Sequence, residues 1–185
     1  MKHELWYSVV VRDRHGKVIS RERRKSKSFL EQWNQLIYNH MASVNSNIAD
    51  TGGVPRNVGR LTNDFAMNAP LGNADYGIRV GTGNTAVAID DFALEFPITE
   101  GVGAGLMEHL VCTITVPAVA APSCTFLVSR PIVNNSGGVI TVREAGIYMR
   151  MATFYFCGIR DVLTVPQAVP DGGSITIDWT IGVTV

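Results

Sequence analysis

The chain has 185 residues, a length that suits one domain with a real core. It is 46% hydrophobic and 17% charged, against roughly 25% charged in an ordinary soluble domain, so much of its surface is expected to meet protein. A formal net charge of zero argues against bulk nucleic-acid binding, which usually needs a basic domain.

The charge is unevenly spread. Residues 1–27 hold nine of the 16 basic residues and three of the 16 acidic ones, a net +6 that leaves −6 on the rest. Trp6 to Arg12 reads as a strand, Asp13-Arg14-His15-Gly16 as a turn and Lys17 to Arg21 as a returning strand. The exit of this hairpin is dense in cations: Arg21, Arg23, Arg24, Lys25 and Lys27. These five are the candidate partner-docking residues. An acidic protein surface is the expected partner, and packaged DNA ranks below it because no aromatics interleave with the charges.

A helix is predicted over about 28–42. Ser28 would cap it, with Glu31 completing a capping box, and Phe29, Trp33, Leu36, Ile37 and Met41 share one face. Residues 43–77 lack sustained periodicity and read as a long irregular arm or surface loop. From residue 78 the pattern is β. Ile78 to Val80 is short and ends in Gly81-Thr82-Gly83. Leu110, Cys112, Ile114 and Val116 alternate with polar or smaller residues up to Pro117. Cys124 to Val133 follows, with Pro131 marking an edge or bulge, then Val139 to Met149. The clearest signal is last: Ile175, Ile177, Trp179, Ile181, Val183 and Val185 recur at period two, one buried face and one polar face. Strands parted by Gly/Pro turns with one amphipathic helix give a mainly β, β-sandwich or jelly-roll-like single domain over 1–185.

Chemistry-bearing patterns are weak. Gly81-Thr82-Gly83 lacks the Lys-Ser/Thr of a phosphate loop and a third glycine at dinucleotide-fold spacing, so it reads as a turn. Asp90, Asp91 and Glu95 lack the spacing of a calcium loop. His3, His15, His40 and His109 form no metal motif, and no nucleophile elbow surrounds a serine. Cys112, Cys124 and Cys157 are odd in number without CxxC spacing and read as small buried hydrophobes. No signal peptide or span of about 18 apolar residues is evident. The expectation is a non-enzyme without cofactor or metal, synthesised in a cytoplasm and not membrane-bound. Arg143 and Glu144 are successive strand residues, so they point to opposite faces and one must turn inward or toward a neighbouring subunit.

Three segments together resemble a recurring type of tailed-bacteriophage virion protein. Ile78-Arg79-Val80-Gly81-Thr82-Gly83-Asn84-Thr85-Ala86, followed by Asp90, Asp91 and Leu94, is similar to a "GTG-T…D-x-x-L" stretch of tail, collar and head-appended proteins. Arg143-Glu144-Ala145-Gly146-Ile147-Tyr148 is similar to an "E-x-G-L-Y" strand. Ile159-Arg160-Asp161 and then Pro170 to Val185 is similar to an "R-D…G-x-S-I-x-I-x-W" ending. The resemblance covers about the C-terminal 110 residues and transfers no catalytic residue. It implies a virion structural protein, an accessory head (decoration) or neck/collar subunit, with a tail-fibre or baseplate component as the alternative. The partners would be further copies of the chain and other virion proteins. A rival from another class is a carbohydrate-binding β-sandwich that stacks a host glycan on Trp6, Tyr76 or Tyr148.

Overall fold

The computed structural model describes residues 2–26, 28–42, 44–58 and 65–184. The N-terminal hairpin pairs β1 (Lys2–Arg12) with β2 (Val18–Lys25). In its turn the Asp13 carboxylate accepts the backbone N–H groups of His15 and Lys17. β2 outruns its expected end at Arg21 because Ser8, Tyr7 and Trp6 of β1 offer register partners to Arg23, Arg24 and Lys25. The cationic run is therefore part of an edge strand and not a tail leaving the hairpin.

Helix α1 (Glu31–Ala42) starts later than the sequence suggests. Ser28 does not cap it. Its hydroxyl donates to Asp161 at 2.8 Å, and the Glu31 N–H donates to the Ile89 carbonyl, so no capping box forms. Phe29 forms an antiparallel bridge with Ile159. Leu36 of the apolar face is fully buried and Trp33 packs against the core, while Phe29, Trp33 and Ile37 stay half-buried.

The segment expected to be an arm contains a small hairpin, β3 (Ser46–Ala49) and β4 (Pro55–Val58). Asp50 closes it by accepting the N–H groups of Gly52 and Val54 and the Arg56 guanidinium. Residues 65–76 are mostly irregular, yet Met67, Ala69 and Tyr76 are buried. The described part of this segment thus packs on the domain. Lys27, Val185 and the Met41 side chain lie outside the described structure.

The remaining strands are β5 (Gly77–Gly81), β6 (Glu108–His109), β7 (Thr113–Ile114), β8 (Ala118–Ala120), β9 (Ser123–Asn134), β10 (Ile140–Met151), β11 (Phe154–Val169) and β12 (Gly173–Thr184). One antiparallel sheet runs β2-β1-β12-β9, with β6, β7 and β8 in turn against the far side of β9; a second runs β11-β10-β5. Contacts of β1 and β12 with β11, and of β9 with β5, place the sheets face to face over one apolar core. The fold is mainly β and sandwich-like, as the sequence indicates. β12 lies between β1 and β9 and buries Ile175, Ile177, Trp179 and Ile181 at period two.

Two β expectations need correction. Leu110 to Val116 is not one strand. The Cys112 N–H donates to the Ala69 carbonyl, which draws the chain away from β9, and Ile114 and Val116 end up exposed. Nor does Pro131 mark an edge or bulge: β9 runs in unbroken register with β12 to Asn134 and has partners on both sides there. Pro131 has no N–H to give. The Leu110 carbonyl, whose own N–H donates to the Pro131 carbonyl, accepts the Arg130 Nε at 2.7 Å.

Candidate functional site

The three segments that carry the resemblance meet at one buried clasp. The sheet register shifts between Val142 and Glu144, and such irregularities re-aim side chains. Arg143 is exposed and Glu144 is 0% exposed, so it is the carboxylate that turns inward. Its oxygens accept the backbone N–H groups of Gly83 (3.2 Å), Glu95 (3.1 Å) and Phe96 (2.9 Å) and the Arg160 Nε (3.0 Å). The other two Arg160 nitrogens donate to Asp91 (2.6 Å) and to the Thr85 carbonyl (3.1 Å). Tyr148 accepts the Leu94 N–H on its hydroxyl. One Glu-Arg pair therefore fastens residues 83–96 across the outer face of the β11-β10-β5 sheet.

The glycines follow from this clasp. A Cβ at Gly81 would lie 2.5 Å from a Glu144 oxygen, and one at Gly83 would lie 2.6 Å from it. Gly81-Thr82-Gly83 is a close-approach loop for a carboxylate of its own chain. Asp161, next to Arg160 and on the opposite face, holds the Ser26 and Ser28 hydroxyls at 2.5 and 2.8 Å. The Arg-Asp pair thus ties the loop with one residue and the entry to α1 with the other.

Of the carboxylates weighed against a calcium loop, Asp91 and Glu95 have structural duties. Asp91 binds Arg160 and the Ala88 N–H. Glu95 accepts the Asn84 and Thr85 N–H groups, and hydrogen bonds from Thr85 hold its carboxyl below the usual range. Asp90 is exposed. An open depression of ≈470 Å3 lies beside Asp91, Glu95 and Arg160, but all three Arg160 nitrogens already donate within the chain. Among the described residues no group of three or more His, Cys, Asp or Glu could hold a metal ion.

The cysteines are free thiols. Burial lifts Cys157 to about 12, which leaves it protonated and unreactive at neutral pH. His109 is fully buried and bonded through Nδ1 to Glu100 and the Met107 carbonyl. Both of those neighbours are acceptors, so Nδ1 carries the proton. Burial and the nearby Arg130 charge bring its pKa down to about 4 against the pull of Glu100. His109 is therefore neutral at pH 7. The stability gained by keeping it neutral is full above about pH 6.5 and is lost as pH falls toward 4, up to about 3 kcal/mol. His109→Gln is expected to flatten the stability profile between these values, read by urea melts; an unchanged slope would assign the acid sensitivity to other groups.

Sequence reasoning did not find Arg130. This buried guanidinium donates to five backbone carbonyls, those of Pro70, Asn73, Tyr76, Ile78 and Leu110. It ties irregular residues 70–76 and the start of β5 to β9. No motif marks it, because its partners are main-chain atoms far away in sequence.

Two exposed surfaces remain. Arg21, Arg23, Arg24 and Lys25 are exposed along the β2 edge. Arg24 pairs with Glu22, and Arg23 lies 5.0 Å over the Trp6 ring. That stack puts an aromatic among the cations after all, through cross-strand pairing. At the other edge of the same sheet, residues 113–122 are all exposed and carry only small or apolar side chains, and Val116 and Val119 reach 84% and 80% exposure. No charged residue occurs from Leu110 to Ser129. Between α1 and the ends of β9 and β12 lies an apolar groove of ≈750 Å3 lined by Phe29, Trp33, Ile37, Phe126 and Ile181. The stacking platforms considered for a glycan are compromised: Tyr76 and Tyr148 are buried, and Trp6 is covered by Arg23. Comparison with family models, curated proteins and solved structures found no match to this chain.

Proposed function

We propose that this chain is a non-enzymatic structural subunit of a tailed-phage particle, an accessory head or neck/collar protein that assembles with copies of itself and with other virion proteins. The observation that carries the reading is the clasp. Gly81, Gly83, Asp91, Leu94, Glu144, Tyr148 and Arg160, drawn from the three resembling segments, meet there in a scaffolding network. A buried Glu-Arg pair that spends its bonds on backbone groups suits architecture better than turnover. An uncharged exposed edge and a cationic edge on one sheet suit a subunit covered by neighbours.

Replacing Arg23, Arg24 and Lys25 with serine tests the docking role of β2. The losses within the fold are the Arg23–Trp6 stack, worth about 1 kcal/mol or less, and the Arg24–Glu22 pair, in which Arg24 is exposed and the buried Glu22 keeps Tyr7 and Gln167 as donors. The melting temperature is therefore expected to change little, while incorporation into particles falls and wild-type attachment weakens with salt. Equal incorporation of mutant and wild type at low and high salt would leave β2 as a solvated edge.

A further inference from the structure

We infer that the cationic β2 edge of one copy docks on the acidic, aromatic loop 89–96 of a second copy, an inference that rests on the assembly role proposed above. The two surfaces are complementary in charge. On β2, Arg21, Arg23, Arg24 and Lys25 stand against Glu22, a net +3. Around the clasp, Asp90, Asp91, Glu95 and Glu144 stand against Arg160 and against Arg79, which stacks on Tyr148, a net −2. They also match in apolar content. Val18 and Ile19 are exposed at the start of β2, and Ile89, Phe92 and Phe96 are exposed on the loop.

The loop is a formed surface. Glu144, Glu95, Asp91 and Tyr148 fix its backbone, so little ordering entropy is lost on docking. A second copy is favoured over an unrelated acidic segment because of what each would cover. An acidic peptide on β2 would leave Ile89, Phe92 and Phe96 in water, whereas one repeated self-contact covers both patches and neutralises both charges. Such a contact closes as a reciprocal pair or as a ring, according to the rotation between copies.

Sedimentation velocity of the full chain over a concentration series, at about 0.05 M and about 0.5 M salt, tests this. Wild type is expected to self-associate, at least tenfold more weakly at the higher salt. Arg21→Glu with Lys25→Glu, and separately Ile89→Lys with Asp90→Lys, should each weaken association at least tenfold while keeping the wild-type melt. An equimolar mixture of the two variants should associate again, because the reversed edge meets a reversed loop. If the edge variant melts early, Arg21→Gln with Lys25→Gln carries the same test. A monomeric wild type at both salts, or an edge variant that associates like wild type, overturns the inference. A monomer that still enters particles leaves the assembly role standing and moves the occupant of β2 to another protein. Self-association by a chain that never enters particles sinks that role and keeps the docking.

Discussion

Ending the chain after Ser174 is expected to yield insoluble or unfolded protein. The deletion removes the strand that joins β1 to β9, and with it the fully buried Ile175, Ile177 and Trp179 and the nearly buried Ile181. Each such side chain contributes about 1.5–3 kcal/mol on burial, against a total stability of about 5–15 kcal/mol. The loss also strips β1 and β9 of their shared hydrogen-bond partner, leaving two internal edges. Soluble expression and a cooperative melt of the truncated chain would mean that the sandwich closes without β12.

The second large effect is expected at the clasp. Glu144→Gln keeps the shape but leaves an amide NH2 facing backbone donors and takes one carboxylate from the buried Arg160. Breaking one side of a buried pair costs about 3–5 kcal/mol, read as a lower urea midpoint, and residues 83–96 should become open to proteolysis. Adding Arg160→Met should recover only part of the loss, since the amide oxygen can still accept the Gly83 and Phe96 N–H groups but the Glu95 N–H is left facing the amide NH2. An unchanged urea midpoint in the single variant would show that the loop is held by something other than Glu144.

How much of this was legible before the structure differs from element to element. β12 could be read because its two faces meet different media, and strict alternation records that. Leu110 to Val116 shows a similar alternation but lacks the pairing to use it: a single bond from Cys112 to Ala69 diverts the chain. Ser28 followed by Glu31 has the chemistry of a helix cap, yet a hydroxyl serves a buried aspartate as readily as a helix end, and Asp161 took it. Gly81-Thr82-Gly83 reads as a turn, yet Gly81 ends β5 and Thr82 donates to Phe96; the carboxylate that needs the glycines lies some 60 residues on, out of reach of a local pattern. Strand alternation says only that one of Arg143 and Glu144 turns inward or toward a neighbour; the structure shows that it is Glu144. The contact of Trp6 with Arg23 and the five bonds of Arg130 come from strand register and chain path, which no local pattern encodes.

The position of β12 also bears on how the protein is made. β1 and β2 are translated before β12, yet β1, with Leu5, Tyr7, Val9 and Val11 on its inner face, gains its second sheet neighbour only when β12 has been made. About 160 residues separate the end of β1 from the start of β12, so at roughly 5–20 residues per second the wait is about 10–30 s. During that time the hairpin offers an unpaired apolar ribbon to anything nearby. The β2 cations on its other margin then serve a second purpose: on a crowded polysome, nascent hairpins bearing the same charge repel one another at the edge where they could otherwise join.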